Sequence, residues 1–284
     1  MKNPFGLLIL LTLFATAIGL GPAAAASLER IKESGTIKLG YRADAAPHSF
    51  DNAIGEPAGY SVNLCRAVVA HLKRDLGLAE IGVDYVAVSS KDRFTAVQNG
   101  RVDLLCGATT ATLSRRSLVD FSLPVFIDGA AVMTRVGGPD NFESLAGHKI
   151  GVLGATTTEA LLGAVIDKFK LQAEIVTVKD HPQGLGMLEG GEISAYFSDQ
   201  AILVYLAAQS AAPDSLRVGA RFFSHEPYAL ALPRGDSEFR LAVDRALSRI
   251  YRSGTVEGIF NSAFANAKPS ELLKALYIVS ALPE

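Results

Sequence analysis

The sequence has little of what marks several common classes of protein. It has only two cysteines in 284 residues and no zinc-type Cys/His spacing, so we expect no metal site. It has no basic run and no low-complexity tract, and its formal net charge is −2, so neither nucleic acid nor an anionic membrane is an expected partner. What is present, 49% hydrophobic and 20% charged residues, is ordinary globular composition, long enough for two domains.

The beginning of the chain has the pattern of a secretory signal peptide. A charged start precedes an apolar core (residues 7–20), and Gly21-Pro22 separates this core from an A-x-A site at Ala24 and Ala26. A membrane anchor is the alternative, but a span prefers about 20 strongly apolar residues. No cysteine lies at the site, which argues against a lipoprotein. We expect residues 1–26 to be removed and the rest to be soluble, because no later segment is apolar enough to span a bilayer.

The two cysteines of an exported chain suggest a disulfide between Cys65 and Cys106. Two buried free thiols are the alternative, because two residues alone do not decide between these states. A bridge would stabilise the fold by about 4 kcal/mol in the chain-entropy model.

Hydrophobic patterning predicts strands that alternate with helices in both halves. Strands are predicted at 35–42, 83–88, 102–107, 148–154, 173–178 and 193–199. Helices are predicted at 60–77, 89–100, 156–169, 181–191 and 200–211. The segments 85–107 and 175–199 share the order strand, loop, glycine-ended helix and strand. This alternation implies sheets covered by helices, and thus two α/β lobes.

The last part of the chain, from residue 228, is predicted to form a strand and two amphipathic helices, which need a sheet to join. We assign it to the first lobe because the strand at Tyr228–Leu232 can pair with the edge of that sheet. The predicted division is lobe 1 at 27–133, lobe 2 at 134–226 and a return to lobe 1 at 227–284. The chain would cross between lobes near Met133–Arg135 and near Ser224–Tyr228.

Polar side chains collect just beyond the predicted strand ends, where open α/β sheets bind their ligands. Those of the first half are Tyr41, Arg42, Asp44, Ser89, Ser90, Arg93, Thr109, Thr110 and Arg115. Those of the second half are Thr156, Thr157, Thr158, His181 and Asp199. The set is mostly cationic or hydroxylic, which suits a small zwitterion with extra hydrogen-bond acceptors.

Each of these residues also has a simpler explanation. Arg115 and Arg116 fit a solvated helix face, and His181 before Pro182 fits a loop. The residues that could serve as helix caps are Ser90, Thr156 and Asp199. Free N–H groups behind Thr156 would still form an anion site. The same strand-end position recurs in both halves, which favours a shared site over separate roles.

Three segments carry a resemblance to a known family. They are GYSVNLCRAV (59–68), RFTAVQNGRVDLLCGATTATLSRRSLVDFSLPVF (93–126) and GATTTEALL (154–162). They resemble the periplasmic amino-acid-binding proteins of ABC importers (solute-binding protein family 3), above all the glutamate/aspartate-binding subgroup. The resemblance implies a type II periplasmic-binding-protein fold, with two lobes of mixed, mostly parallel sheet that close over one amino acid. It also implies a periplasmic monomer without cofactor, partnered by the membrane permease subunits of the importer.

The resemblance implies roles for single residues as well. Arg115, with Thr110 and the backbone amides near Ala108, would hold the α-carboxylate, and Asp199 would meet the α-ammonium. The residues that would face the ligand side chain or complete the cage are Arg42, Ser90, Arg93, Thr157 and His181. Thr156, at the anion site of its helix, is also predicted to bind the ligand. Ala108 departs from the pattern, because related proteins often carry a serine there and one hydroxyl contact is missing.

Counting charges predicts an acidic ligand. The pair of Arg115 and Asp199 serves every amino acid equally, which leaves Arg42, Arg93 and, when protonated, His181. These cations would be costly to desolvate without an anion. Glutamate and aspartate are therefore the first candidates, and glutamine and asparagine the next.

Arg42 or Arg93 could instead point to water or pair with Asp44 or Asp92, which would open the site to neutral ligands.

Two other classes of function compete with transport. An exported enzyme on the same scaffold, such as a dehydratase or a lytic transglycosylase, needs a positioned acid or base. Asp44, Asp199 and His181 are candidates, but no unpaired glutamate in the cleft demands the role, so no catalytic residue is assigned. The sensory ectodomain of a receptor is a third possibility, against which the lack of a later apolar span argues.

Overall fold

The computed structural model describes residues 27–139, 141–265 and 267–284. The predicted signal peptide, residues 1–26, lies outside them. The helices are α1 (Ser27–Ser34), α2 (Tyr60–Asp75), α3 (Arg93–Gln98), α4 (Leu113–Arg116), α5 (Thr157–Phe169), α6 (His181–Glu189), α7 (Gln200–Gln209), α8 (Ser237–Arg252), α9 (Thr255–Phe264) and α10 (Glu271–Ser280). Short 3₁₀ turns lie at Glu143–Leu145 and Pro213–Ser215.

The strands are β1 (Thr36–Tyr41), β2 (Asp44–Ala45), β3 (Ser49–Asp51), β4 (Pro57–Ala58), β5 (Gly82–Ala87), β6 (Leu104–Cys106), β7 (Asp120–Asp128), β8 (Ala130–Arg135), β9 (Lys149–Leu153), β10 (Glu174–Val178), β11 (Ala195–Asp199), β12 (Leu216–Val218) and β13 (Glu226–Leu232). They form two five-stranded sheets, one in each lobe, and a small sheet of β2, β3 and β4.

The first sheet has the strand order β5-β1-β6-β13-β7. β1 runs parallel to β5 and β6, whereas β13 runs antiparallel to β6 and β7. The returning strand β13 therefore joins the first lobe, but it lies inside the sheet and not at the predicted edge. The reason is that β7, a strand the sequence patterns did not separate, takes the outer position.

The second sheet has the order β10-β9-β11-β8-β12. β9 runs parallel to β10 and β11, and β8 runs antiparallel to β11 and β12. The expected mixed sheets are thus present, but antiparallel pairings are as frequent as parallel ones. The cause is the same in both lobes, since β13 and β8 each enter their sheet against their neighbours.

The chain first crosses between the lobes at Gly129, because β7 ends in the first sheet at Asp128 and β8 begins in the second at Ala130. The predicted crossing near Met133–Arg135 is wrong, and the predicted boundary at 133/134 lies inside β8. Met133 already pairs in the second sheet. The segments on both sides of Asp128-Gly129 are apolar, which hid the crossing from sequence patterns.

The second crossing lies beside the first. Ser224 Oγ accepts a hydrogen bond from Ala130 N (3.1 Å), and Glu226 pairs in register with Asp128. A Cβ atom on Gly129 would lie 2.5 Å from Ser224 O and 2.5 Å from Phe222 Cδ1. Only glycine fits at this point of the hinge.

The predicted disulfide joins Cys65 of α2 to Cys106 at the carboxyl end of β6. Both sulfur atoms lie in the core that α2, α8, α9 and α10 form against the first sheet. The bridge therefore fixes the strand end from which residues 107–112 lead into the cleft. No helix among the described residues is long and apolar enough to cross a membrane.

Candidate functional site

A small cavity lies between the two lobes, at the carboxyl ends of strands from both sheets. Its lining residues from the first lobe are Arg42, Ala45, Arg93, Ala108, Thr110 and Arg115. Those from the second lobe are Thr156, Thr157, Thr158, His181, Ser198, Asp199 and Ile202. All the predicted ligand-binding residues except Ser90 line it.

Ser90 is buried beside Asp44 and Asp180, in a neighbouring depression of the cleft. It is not the helix cap either, since α3 begins at Arg93 after Asp92. Ser90 therefore does not line this cavity, and its role in ligand binding stays a prediction.

Side chains and backbone atoms of the two lobes are in direct contact around the cavity. The hydrogen bonds between lobes run from Tyr228 Oη to Asp199 Oδ2 (2.5 Å), from Thr157 Oγ1 to Glu226 Oε2 (2.9 Å), from Arg93 Nη2 to Ala155 O (3.3 Å) and from His181 N to Asp44 Oδ2 (3.3 Å). The structure is therefore the closed form of the two lobes.

Arg115 is fixed at one end of the cavity by the loop after β6. Thr112 caps α4 by accepting a hydrogen bond from Arg115 N (3.1 Å), and Arg115 Nη1 donates to Thr110 O (2.9 Å). Burial lowers the pKa of Arg115, although nearby carboxylates, of which Glu226 acts most, oppose the shift. A guanidinium held by one bond keeps further donors for an anion.

Arg93 is a buried cation that forms no ion pair with any described residue, although the charges of Asp199 and Asp44 lie near enough to act on it. It is 2% exposed, and its Nε and Nη1 atoms have no hydrogen-bond partner within the described part of the chain. Burial, together with the charges of Arg115 and Arg42, holds its pKa well below the ordinary value. Asp92, the carboxylate nearest in sequence, pairs with Arg101 instead. Such a group calls for a negatively charged partner from outside the chain.

Arg42 differs from Arg93, because it forms a two-point ion pair with Asp44. The distances are 2.7 Å from Nε to Oδ1 and 2.8 Å from Nη2 to Oδ2. Burial opposes the ionisation of Asp44, but the hydrogen bond and charge of Arg42 outweigh it and lower the pKa of Asp44. The alternative of internal pairing therefore holds for Arg42 and fails for Arg93.

His181 begins α6 behind the N-cap Asp180, and its Nδ1 lies 2.8 Å from Tyr196 Oη. Burial, with the nearby charge of Arg42, lowers its pKa to about 3. His181 is thus a neutral hydrogen-bonding group and adds no positive charge to the site.

The threonines at the start of α5 have different roles. Thr156 Oγ1 accepts from Glu159 N (3.1 Å) and donates to Leu153 O (2.6 Å), so its side chain serves as the helix cap. Thr157 and Thr158 lie in the first turn of this thirteen-residue helix, directly after the cap. Backbone N–H groups at a helix N-terminus bind anions favourably.

Asp199 ends β11, and its side chain does not cap α7. Its Oδ2 accepts from Tyr228, while its Oδ1 is buried and has no partner among residues 27–139, 141–265 and 267–284. Burial and the charges of Asp128 and Glu226 raise the pKa of Asp199 to about 8. A positively charged donor at Oδ1 would satisfy this oxygen and stabilise the ionised carboxylate. An ammonium group is such a donor.

The sequence patterns missed several residues of the site. Those that line the cavity are Ala45, Ser198 and Ile202. From the hinge, Glu226 and Tyr228 form hydrogen bonds to cavity residues, and the charge of Asp128 acts on Asp199. Ser198 and Ile202 flank Asp199 and could have been found from it. No local sequence pattern indicated that the hinge residues belong to the site, because they lie in strands that pair with segments far away in the sequence. Within the described residues no group of three or more His, Cys, Asp or Glu side chains is arranged to hold a metal ion.

A cavity shared by two α/β lobes, with two crossings that run side by side, defines a protein that encloses a small ligand between its lobes. The chain belongs to the bacterial extracellular solute-binding proteins, family 3, which match it over residues 37–266.

Individual relatives agree with this assignment. The chain is 36% identical over 256 residues to the L-glutamate/L-aspartate-binding protein of Pseudomonas aeruginosa, covering 89% of this chain and 85% of the relative. It is 30% identical over 260 residues to the glutamate/aspartate import solute-binding protein of Salmonella typhimurium, covering 91% and 86%. A periplasmic binding protein of an ABC transporter from Brucella ovis, solved with glutathione bound, has a TM-score of 0.74 at 27% identity, covering 89% of this chain and 79% of that one.

The two-lobed periplasmic-binding-protein fold is thereby confirmed. The family and the names of these relatives describe solute-binding proteins, so this chain is a solute-binding protein and not an enzyme.

Proposed function

We propose that this protein captures an amino acid, most tightly one with an acidic side chain, in the cavity between its lobes and delivers it to the permease of an ABC importer. Glutamate and aspartate are the first candidates, followed by glutamine and asparagine. The observation that carries the proposal is a pair of buried polar groups that lack partners among the described residues. Arg93 is buried without an anion, and Asp199 Oδ1 is buried without a donor. The relatives named for glutamate and aspartate support it.

The amino-acid backbone would lie between Arg115 and Asp199. Arg115 presents guanidinium donors to the α-carboxylate beside the hydroxyl of Thr110 and the first-turn amides of α5. Asp199 Oδ1 accepts from the α-ammonium. These contacts serve every α-amino acid, so they define the class of ligand and not its side chain.

Arg93 would select the side chain. Because Asp44 already neutralises Arg42 and His181 is neutral, Arg93 is the cation that a side-chain carboxylate would pair with. An amide oxygen would supply a hydrogen bond without neutralising the charge. An aliphatic side chain would leave the guanidinium buried and unpaired. The expected order of affinity is therefore acid, then amide, then aliphatic.

The protein would work as an exported monomer whose mature chain begins near Ser27 in the periplasm. Its lobes would open about the crossings at Gly129 and Ser224–Glu226 to admit the ligand and close to bury it. The hydrogen bonds between lobes around the cavity support such a closure.

The test is a calorimetric titration of refolded, ligand-free protein against the twenty amino acids. Glutamate or aspartate should bind most tightly, and their amides more weakly. A preference for leucine or lysine over glutamate would contradict the assignment.

A further inference from the structure

Strand β13 sends two side chains across the cleft to residues of the second lobe. Glu226 and Tyr228 are two positions apart, so they project from the same face of the strand. Glu226 accepts a hydrogen bond from Thr157, and Tyr228 donates one to Asp199. Both Thr157 and Asp199 line the cavity. The strand that returns from the hinge thus touches both halves of the binding site.

The hydroxyl of Tyr228 is held in a fixed position. Its side chain is fully buried, and its ring packs against His48 (5.1 Å between ring centres) and Phe126 (6.0 Å). From there it donates to Asp199 Oδ2 at 2.5 Å. With one oxygen engaged, the carboxylate cannot rotate freely, and Oδ1 is left as the acceptor for a ligand.

Glu226 is bound from both sides of the hinge. It is 3% exposed, its Oε1 accepts from Ser224 Oγ (2.7 Å) and its Oε2 accepts from Thr157 Oγ1 (2.9 Å). Ser224 belongs to the second crossing, and Thr157 opens helix α5. Separation of the lobes would break the bond to Thr157, as it would break the bond between Tyr228 and Asp199.

We propose that Glu226 and Tyr228 are positioning residues that hold Thr157 and Asp199 in their binding arrangement only when the lobes are closed. This inference rests on the proposed function, because it takes Asp199 as the partner of an amino-acid ammonium group. Neither residue needs to touch the ligand. They couple recognition of the amine to closure of the hinge.

The two residues act on the charge of Asp199 in opposite directions. The groups that act on Asp199 or respond to its charge are Asp128 of β7, Arg93 of α3, Arg115 of α4, Tyr196 of β11, and Glu226 and Tyr228 of β13. The hydrogen bond from Tyr228 favours the ionised carboxylate, and the negative charge of Glu226 disfavours it. Since an ammonium ligand prefers the ionised form, the two residues should shift the pH dependence of binding oppositely.

The experiment compares Tyr228→Phe and Glu226→Gln with the wild type, using glutamate and glutamine as probes from about pH 5 to about pH 9. Tyr251→Phe is the matched control, because Tyr251 Oη donates to Pro124 O (2.9 Å) within the first lobe, away from the cavity. All three substitutions keep the shape of the side chain. Cooperative thermal unfolding of each variant verifies that it is folded.

Tyr228→Phe should weaken both probes roughly tenfold or more and by the same factor, with a faster dissociation rate. Its loss of affinity at low pH should begin at a higher pH than in the wild type. In Glu226→Gln that loss should begin at a lower pH, and in Tyr251→Phe it should not move.

Equal pH profiles in all variants, or shifts of the same sign in Tyr228→Phe and Glu226→Gln, would overturn the inference and leave the proposed function intact. Failure of the wild type to bind either probe would overturn the proposed function, and the inference with it.

Discussion

Asp44 forms a bidentate ion pair with Arg42, in which each carboxylate oxygen accepts a hydrogen bond of 2.8 Å or less from a guanidinium nitrogen. The same carboxylate accepts a hydrogen bond from His181 N of the opposite lobe (3.3 Å). Arg42 therefore fixes Asp44 at the contact between the lobes. The positive charge of Arg42 is neutralised by Asp44 and is not left for a ligand. Selection of an acidic ligand then depends on Arg93.

The first prediction concerns Arg93. Arg93→Met keeps an unbranched but shorter side chain and removes its charge, so glutamate affinity should fall roughly ten- to a hundredfold while glutamine affinity falls much less. Arg116→Met is the control, since Arg116 is exposed and lies over the Phe121 ring. Equal losses for glutamate and glutamine, measured by calorimetry, would argue against a role in side-chain selection.

The second prediction is that binding releases protons. Burial raises the pKa of Asp199 to about 8, so the carboxyl is largely protonated in the closed, ligand-free form at neutral pH. An ammonium ligand favours the ionised form, so binding below about pH 8 should expel up to about one proton, and binding well above it none. Titrations in two buffers of different ionisation heat measure this number. A heat of binding that does not depend on the buffer at pH 7 would refute it.

The third prediction follows for stability. A carboxyl with a raised folded-state pKa, here about 8 against an ordinary value near 3.8, destabilises the folded state as pH rises through that window. Asp199→Asn should therefore raise the melting temperature of ligand-free protein at pH 8 more than at pH 4, while abolishing tight binding. A shift of about 2–4 °C per kcal/mol is expected for a chain of this size. A variant with the same melting temperature as the wild type at pH 8 would contradict this.

The fourth prediction concerns the hinge. Gly129→Ala would place a Cβ atom 2.5 Å from Ser224 O, so the closed arrangement should become less stable and ligand affinity should fall. With glutamate bound, small-angle scattering should show a fully compact wild type and a less compact variant. Gly258→Ala is the control, because nothing lies within 4 Å of its added Cβ atom. Full compaction and unchanged affinity in Gly129→Ala would show that the crossing tolerates a side chain.

The fifth prediction concerns the new amino terminus. Ser27 N donates to Asp236 Oδ2 at 2.8 Å, so cleavage after Ala26 would place the terminal ammonium in an ion pair there. Asp236→Asn keeps the cap on Phe239 N but removes the charge, and should destabilise the mature chain by about 1 kcal/mol or less. Mass spectrometry of exported protein checks the start at Ser27. A membrane-retained chain beginning at Met1 would rule out the cleavage.

The alternation of strands and helices was enough to predict the lobes and most of the site. Thr110, Arg115, Thr157 and Asp199 lie at or beyond the end of a strand, and strands of both sheets end at the same cleft, so these residues meet as expected. That part of the site depends on local pattern and on a general rule for α/β sheets.

The hinge contacts could not be predicted in this way. Tyr228 meets Asp199 from 29 residues away and Glu226 meets Thr157 from 69 residues away, in different lobes. Their positions follow from the insertion of β13 between β6 and β7. The hydrophobic periodicity of the sequence does not indicate which strands become neighbours. The pairing of Arg42 with Asp44 is a choice between side-chain conformations, so the sequence left it open.

The interior position of β13 also sets an order in which the molecule can be assembled. The five strands of the second sheet, β8 to β12, follow one another along the chain without interruption. The first sheet lacks its fourth strand until residues 226–232 have been made, after all of the second sheet. The lobe that the chain begins is therefore the last to be completed, and a chain cut short before β13 would leave β6 and β7 without the strand that joins them.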